Sequence, residues 1–87
     1  IYKQHLPKNH GGIAWVLTSL GCVHRELGEF EKAKELLNQS IEIYKRYFPG
    51  NNSGITWALA HLGNTYRDQG DYKKAKELFE LCLITTK

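Results

Sequence analysis

The segment LGEFEKAKELL (Leu27–Leu37) returns as QGDYKKAKELF (Gln69–Phe79), 42 residues further along the chain. Shifting the whole sequence by the same interval aligns many more identical residues, for example Trp15 with Trp57. A fixed period between about 20 and 50 residues is typical of proteins in which similar structural units stack on one another. The repeat therefore predicts a stacked architecture.

The period divides the 87 residues into the tail of one unit, a full unit and a nearly complete unit. Residues 1–10 match the end of one unit and its following connection, residues 11–52 form a full unit, and residues 53–87 form another that lacks its C-terminal connection. The chain contains no Met and begins within the pattern. We therefore expect it to be an excerpt of a longer protein.

Each unit contains two apolar patterns with the i, i+3, i+4 spacing of a helix. In the first full unit these are Ile13, Val16, Leu17, Leu20, His24 and Leu27, then Ala33, Leu36, Leu37, Ser40, Ile41, Tyr44 and Phe48. The patterns predict helices over residues 12–27, 31–47, 54–69 and 73–86, with residues 1–5 as the end of an earlier helix. The predicted fold class is all-α, an α-solenoid of antiparallel helix hairpins.

Four glycines recur at two positions of the unit. Gly28 and Gly70 separate the paired helices, where a residue that tolerates positive φ can end the first helix. Gly21 and Gly63 lie inside predicted helices, at a cost of about 1 kcal/mol each relative to alanine. Because the cost is repeated, we expect the second helix of each hairpin to approach closely there, with an alanine such as Ala33 opposite the glycine.

The second unit contains most of the motif LGxxYxxxGxYxxAxxxF, in Leu62, Gly63, Tyr66, Gly70, Tyr72, Ala75 and Phe79. In these residues the chain resembles the tetratricopeptide repeat. The first unit departs from the motif by carrying His24 where the second has Tyr66. The 42-residue period is similar to the longer variant found in kinesin light chains. The resemblance implies a right-handed superhelix whose first helices line a concave groove that binds a peptide or another protein.

Residues of the first helices that would face this groove follow from the same resemblance. The partner-binding candidates are Trp15, Thr18, Ser19, Cys22, Arg25, Trp57, His61, Asn64 and Arg67. Trp and Arg are enriched among the residues that dominate binding energies at interfaces. Two interpretations stay open for Trp15 and Trp57, which either fill the seam between successive first helices or contact a partner. Arg25 and Arg67 likewise either pair with a neighbouring carboxylate or bind a ligand.

The sequence offers little for catalysis, metal binding or nucleic acid. Its four histidines are scattered, and no phosphate-binding or nucleophile motif is present, so we expect no enzymatic activity, no metal and no cofactor. The net charge of +3 is spread along the chain without a basic tract, which argues against nucleic acid as a partner. No apolar run approaches the roughly 20 residues that span a bilayer, so no membrane association is expected.

The two cysteines, Cys22 and Cys82, lie far apart without a paired spacing. They are typical of buried thiols in a reducing compartment and favour a cytoplasmic location, with a single disulfide between them left open.

The last predicted helix is apolar on more than one face, in Leu78, Phe79, Leu81, Cys82, Leu83 and Ile84. A terminal helix of a solenoid normally has a polar outer face, because nothing stacks on it. We therefore expect the chain to self-associate through this helix or to swap helices between copies. The predicted function is a protein-interaction scaffold with a peptide-binding groove. The alternative is an architectural segment that packs against its own chain or a second copy.

Overall fold

A computed structural model describes residues 10–50 and 52–86. These residues form four helices: α1 (His10–Glu26), α2 (Phe30–Tyr47), α3 (Asn52–Gln69) and α4 (Tyr72–Thr86). Helices α1 and α2 form one hairpin, α3 and α4 form the next, and α3 packs on both helices of the first hairpin. The all-α helical repeat is confirmed, and each helix begins one or two residues earlier than predicted. The predicted helix end at residues 1–5 lies outside the described residues.

The turn inside each hairpin is set by one glycine with positive φ. Gly28 has a φ of 83° and Gly70 a φ of 93°, a region that L-residues avoid. The amide of Gly28 donates to the carbonyl of Arg25 at 3.0 Å, and the amide of Glu29 donates to His24 at 2.8 Å. This pair of bonds satisfies carbonyls left open at the end of α1, and the same two bonds recur around Gly70. The predicted helix-ending role of these glycines is confirmed.

The two helices of each hairpin approach most closely at the internal glycines. A Cβ atom added to Gly21 would lie 2.7 Å from Leu37 Cγ and 3.3 Å from the Ala33 carbonyl oxygen. A Cβ on Gly63 would lie 2.9 Å from the ring of Phe79. The predicted close approach is confirmed, although the side chain against Gly21 is that of Leu37 rather than Ala33.

The core stripe predicted for α1 was wrong. Ala14, Thr18 and Gly21 are the buried residues of this helix. Because these are small, α1 can lie close to α2, and the larger apolar side chains of α1 are turned to the other side. Three predicted core residues are thereby exposed: Val16 (48%), Leu20 (42%) and Leu27 (65%). The stripe predicted for α2 is buried from Ala33 to Tyr44, as expected.

A buried polar contact joins α1 to α2. The hydroxyls of Thr18 and Ser40 lie within 2.5 Å of each other, and both side chains are fully buried. The carbonyl oxygen of Ala14 lies 3.0 Å from the Thr18 hydroxyl and 2.9 Å from the Ser40 hydroxyl, so one hydroxyl can donate to this carbonyl while the other donates either to the same oxygen or to its hydroxyl neighbour. Their hydrogen bonds offset the cost of removing both groups from water.

Replacement of Gly21 by alanine tests the close approach. We expect Gly21→Ala to lower the free energy of unfolding by about 1–2 kcal/mol, because overpacking a core by one methyl group outweighs the gain in helix propensity. The measurement is urea unfolding followed by circular dichroism.

Gly11→Ala is the matched control, because among the described residues a Cβ there would meet only the Phe48 ring, at 3.5 Å, an ordinary contact. It should be neutral or raise stability by up to about 1 kcal/mol. Equal effects of the two substitutions would contradict the close approach at Gly21.

Candidate partner-binding groove

The neighbouring first helices, α1 and α3, form a surface that we call the α1–α3 wall. Two tryptophans span its width: the rings of Trp15 and Trp57 stack with centroids 6.4 Å apart and planes inclined by 30°. Trp57 is half-buried, whereas Trp15 is 58% exposed. The pair therefore fills the seam between successive first helices and also leaves an aromatic surface open to solvent.

Arg25 connects the two helices at the other end of the wall. Its side chain is only 15% exposed, its Nη2 lies 3.2 Å from the Glu26 carboxylate, and its Nε lies 3.5 Å from the Asp68 carboxylate on α3. Its Nη1 is buried and has no hydrogen-bond partner among the described residues. A buried donor without a partner is costly, and because this nitrogen is buried, an acceptor from another molecule could reach it only if the Arg25 side chain moved.

His61 lies between the tryptophans and Arg25. Its ring meets Trp57 edge-on at 5.8 Å, and its Nδ1 is buried without a hydrogen-bond partner in the described part of the chain. Burial, and to a lesser extent the positive charge of Arg25, lower the pKa of His61 below 6.5. The imidazole is therefore neutral at pH 7, with one nitrogen able to accept and the other to donate a hydrogen bond.

Three further sequence candidates are half-buried: Ser19, Cys22 and Asn64. Burial raises the pKa of the Cys22 thiol, the nearby Arg25 opposes this shift, and Glu26 adds to it. The thiol therefore stays protonated at neutral pH, which makes it a weak nucleophile. Neither Cys22 nor Cys82 forms a disulfide.

Two of the sequence candidates lie elsewhere. Thr18 is buried between α1 and α2 against Ser40, so its side chain has no surface to offer a partner. Arg67 is exposed and lines a groove beside α4 together with Tyr72 and Phe79. It is equivalent to Arg25 by sequence, but no third hairpin in the described residues covers it as α3 covers Arg25.

The role of Asp68 in joining α3 to Arg25 was not predicted. The signal available in the sequence was the carboxylate that follows each arginine, Glu26 after Arg25 and Asp68 after Arg67. Spacing alone did not indicate that the carboxylate of the second unit would reach the arginine of the first.

Other kinds of site find little support in the described residues. No group of three His, Cys, Asp or Glu side chains in residues 10–50 and 52–86 is arranged to hold a metal ion. Within the same ranges, no helix combines the length and the hydropathy required to cross a bilayer.

Comparison with known proteins gives the family and nothing closer. Two family models, both described as the tetratricopeptide repeat, match residues 3–46 and 55–87. No curated protein and no solved structure matches the chain.

The lowered pKa of His61 makes stability depend on pH. Well above pH 6.5 the ring is neutral in both states and contributes no pH dependence. As the pH falls through 6.5 the unfolded chain takes up this proton first, so the free energy of unfolding decreases until the folded pKa is passed. Urea unfolding of the wild type and of His61→Gln over this range should show the component only in the wild type.

An NMR titration of the His61 ring tests separately the two causes of its lowered pKa, burial and the charge of Arg25. In Arg25→Gln the pKa of His61 should rise but stay below 6.5, because burial is the larger cause and remains. A pKa at or above 6.5 in the wild type would contradict the environment described for His61.

Proposed function

Because the chain belongs to the tetratricopeptide repeat family, whose members generally mediate protein–protein interaction, we propose that it binds a peptide segment of another protein along the α1–α3 wall. The observation that carries the proposal is the ring of Trp15, which is 58% exposed on this wall. At the other end of the wall, Nη1 of Arg25 has no hydrogen-bond partner in the described residues but is buried, so a ligand would reach it only if the side chain turned outward. Trp and Arg are both enriched among the residues that dominate binding energies.

The wall favours a segment that carries a carboxylate near an apolar side chain. A carboxylate would accept from Arg25 Nη1 after the guanidinium turns outward from its buried position, forming a charge-assisted hydrogen bond. The apolar side chain would cover Trp15 and remove its surface from water. The neutral His61 and the amide of Asn64 can each donate and accept, which suits hydrogen bonds to a peptide backbone.

The proposed activity is binding alone. The Cys22 thiol is protonated, and the polar groups of the wall are half-buried or engaged in ion pairs, so we propose a scaffold without enzymatic activity. We also propose a cytoplasmic location, because the two cysteines lie far apart without a paired spacing, which is typical of thiols in a reducing compartment.

An architectural or oligomerisation role is the second candidate function. It is favoured by the large apolar side chains that α4 leaves in solvent, such as Leu83 and Ile84. The two functions use different surfaces, so the chain can serve both.

A selection of random-sequence peptides displayed on phage tests the binding proposal. Peptides recovered on the immobilised chain should contain Asp or Glu close to an apolar residue. Fluorescence anisotropy with a recovered peptide should show that Arg25→Gln weakens binding about 10- to 100-fold, as expected for loss of a hydrogen bond to a charged group. Trp15→Ala should weaken binding as well without unfolding the chain, because Trp15 is largely exposed.

Lys74→Gln is the control, since Lys74 lies on α4, away from the wall, and pairs only weakly with Glu77 at 4.0 Å. It should leave affinity unchanged. Recovered peptides that bind Arg25→Gln and Trp15→Ala as tightly as the wild type would refute binding at this wall.

A further inference from the structure

Helix α4 leaves an apolar groove uncovered. The groove has a volume of about 630 Å³ and is lined mainly by Tyr72, Ala75, Phe79 and Leu83. Tyr72 and Leu83 are 69% and 67% exposed, and the neighbouring Ile84 is 68% exposed. Side chains of this size are normally buried, so an uncovered apolar groove indicates a site that takes up another apolar surface.

Helix α1 presents an apolar stripe on the side turned away from α2. Its members are spaced by three and four residues and are large: Val16, Leu20, Val23 and Leu27. All four are between 42% and 65% exposed. The stripe follows the C-terminal part of α1 and continues to Leu27 just beyond it, and no other described residue covers it.

The 42-residue repeat relates these two surfaces to each other. The α3 residues equivalent to Val16, Leu20 and Val23 are Ala58, Leu62 and Thr65, which are at most 5% exposed. Ala58 and Leu62 lie in the same buried cluster as Leu37 and Ile41 of α2.

In the groove beside α4, Phe79 and Leu83 are the equivalents of Leu37 and Ile41 of α2. The two exposed surfaces are therefore the two halves of an interface, α2 with α3, that the chain already contains once.

We propose that α1 of a second copy of this chain docks on α4 of the first, in the register in which α3 docks on α2. This rests on the oligomerisation role proposed above and does not depend on the binding of peptides, because neither surface includes the α1–α3 wall. The occupant follows from the repeat: the stripe of α1 lies at the positions by which α3 packs on α2, with Leu20 for Leu62 and the valines Val16 and Val23 for Ala58 and Thr65, and the groove beside α4 carries the residue types of α2.

The register places charges as well as apolar side chains in matching positions. In the chain, Arg25 Nε lies 3.5 Å from the Asp68 carboxylate and Lys34 Nζ lies 4.7 Å from the centre of the Tyr66 ring. In the proposed contact, the residue equivalent to Arg25 is Arg67, and the residue equivalent to Asp68 is Glu26 of the second copy. Arg67 would therefore pair with that Glu26. Both side chains are accessible for this, at 54% and 73% exposure.

The interface is heterologous, since one copy contributes α4 and the other α1. Each docked copy leaves a further α4 groove and a further α1 stripe free, so assembly continues beyond the dimer rather than closing. The second α1 would lie beside the first α3, and the α1–α3 wall would continue from copy to copy.

Sedimentation equilibrium over the micromolar to millimolar range tests the proposal. The wild type should give a mean mass that rises with concentration beyond that of two copies. Leu20→Glu and Leu83→Glu should each give monomers, because each places a charge in one half of the interface. Both residues are exposed, so circular dichroism should show unchanged helix content. Gln39→Glu, at an exposed position of α2 outside both surfaces, should associate as the wild type does.

Mixing the two monomeric variants gives the decisive result. Leu20→Glu retains a sound α4 groove and Leu83→Glu retains a sound α1 stripe, so an equimolar mixture should form a dimer and stop there. A wild type that stays monomeric, a Leu20→Glu variant that still associates, or a mixture without a dimer would each overturn the proposal. The second of these would indicate contact of α4 with α4.

A charge reversal tests the register independently. Arg67→Glu and Glu26→Arg should each weaken association, and the chain carrying both should recover it, because the pair is then restored with exchanged signs. Failure of the double variant to recover association would overturn the register.

Discussion

The close contact between the two helices of each hairpin, at Gly21 against Leu37 and at Gly63 against Phe79, is the constraint on which the rest of the structure depends. A side chain at either glycine would collide with its neighbour, so the small residues of α1 must face α2. This orientation buries Thr18 and Ser40 together and turns the larger apolar residues of α1 outward. The uncovered stripe of α1 is therefore a consequence of how tightly its own hairpin is packed.

Packing of α3 on the first hairpin then gives equivalent residues different environments. Arg25 is mostly buried because α3 brings Asp68 to it, whereas Arg67 is half exposed. Leu62 is buried where Leu20 is exposed. Since the two units share most of their residue types, these differences reflect position in the stack and not composition. The proposed binding by the α1–α3 wall and the proposed association through α1 and α4 are both argued from this asymmetry.

Two partly buried polar side chains of the α1–α3 wall, His61 and Arg25, affect the stability of the free chain. Burial keeps His61 neutral and leaves Arg25 with a donor that the chain does not satisfy. Both features weaken the isolated chain slightly, because a buried polar group without a partner is destabilising. In the proposed binding mode this cost is recovered when Arg25 turns outward to a ligand acceptor, so recognition there requires a side-chain movement.

The sequence by itself determined the period, the four helices and the turns at Gly28 and Gly70, because these depend on local spacing and backbone conformation. It also indicated the two glycines at the close contacts. Only the tertiary structure decided which side of α1 is buried. That helix has one side of large apolar residues and one side of small residues, and either could pack on α2. The small residues do so, because they allow the closer approach. Likewise, only the tertiary structure shows that Thr18 is buried away from the wall and that Arg25 pairs with Asp68. Those contacts join residues from different helices. Their geometry depends on how the hairpins pack, and the spacing of residues along one helix does not predict that packing.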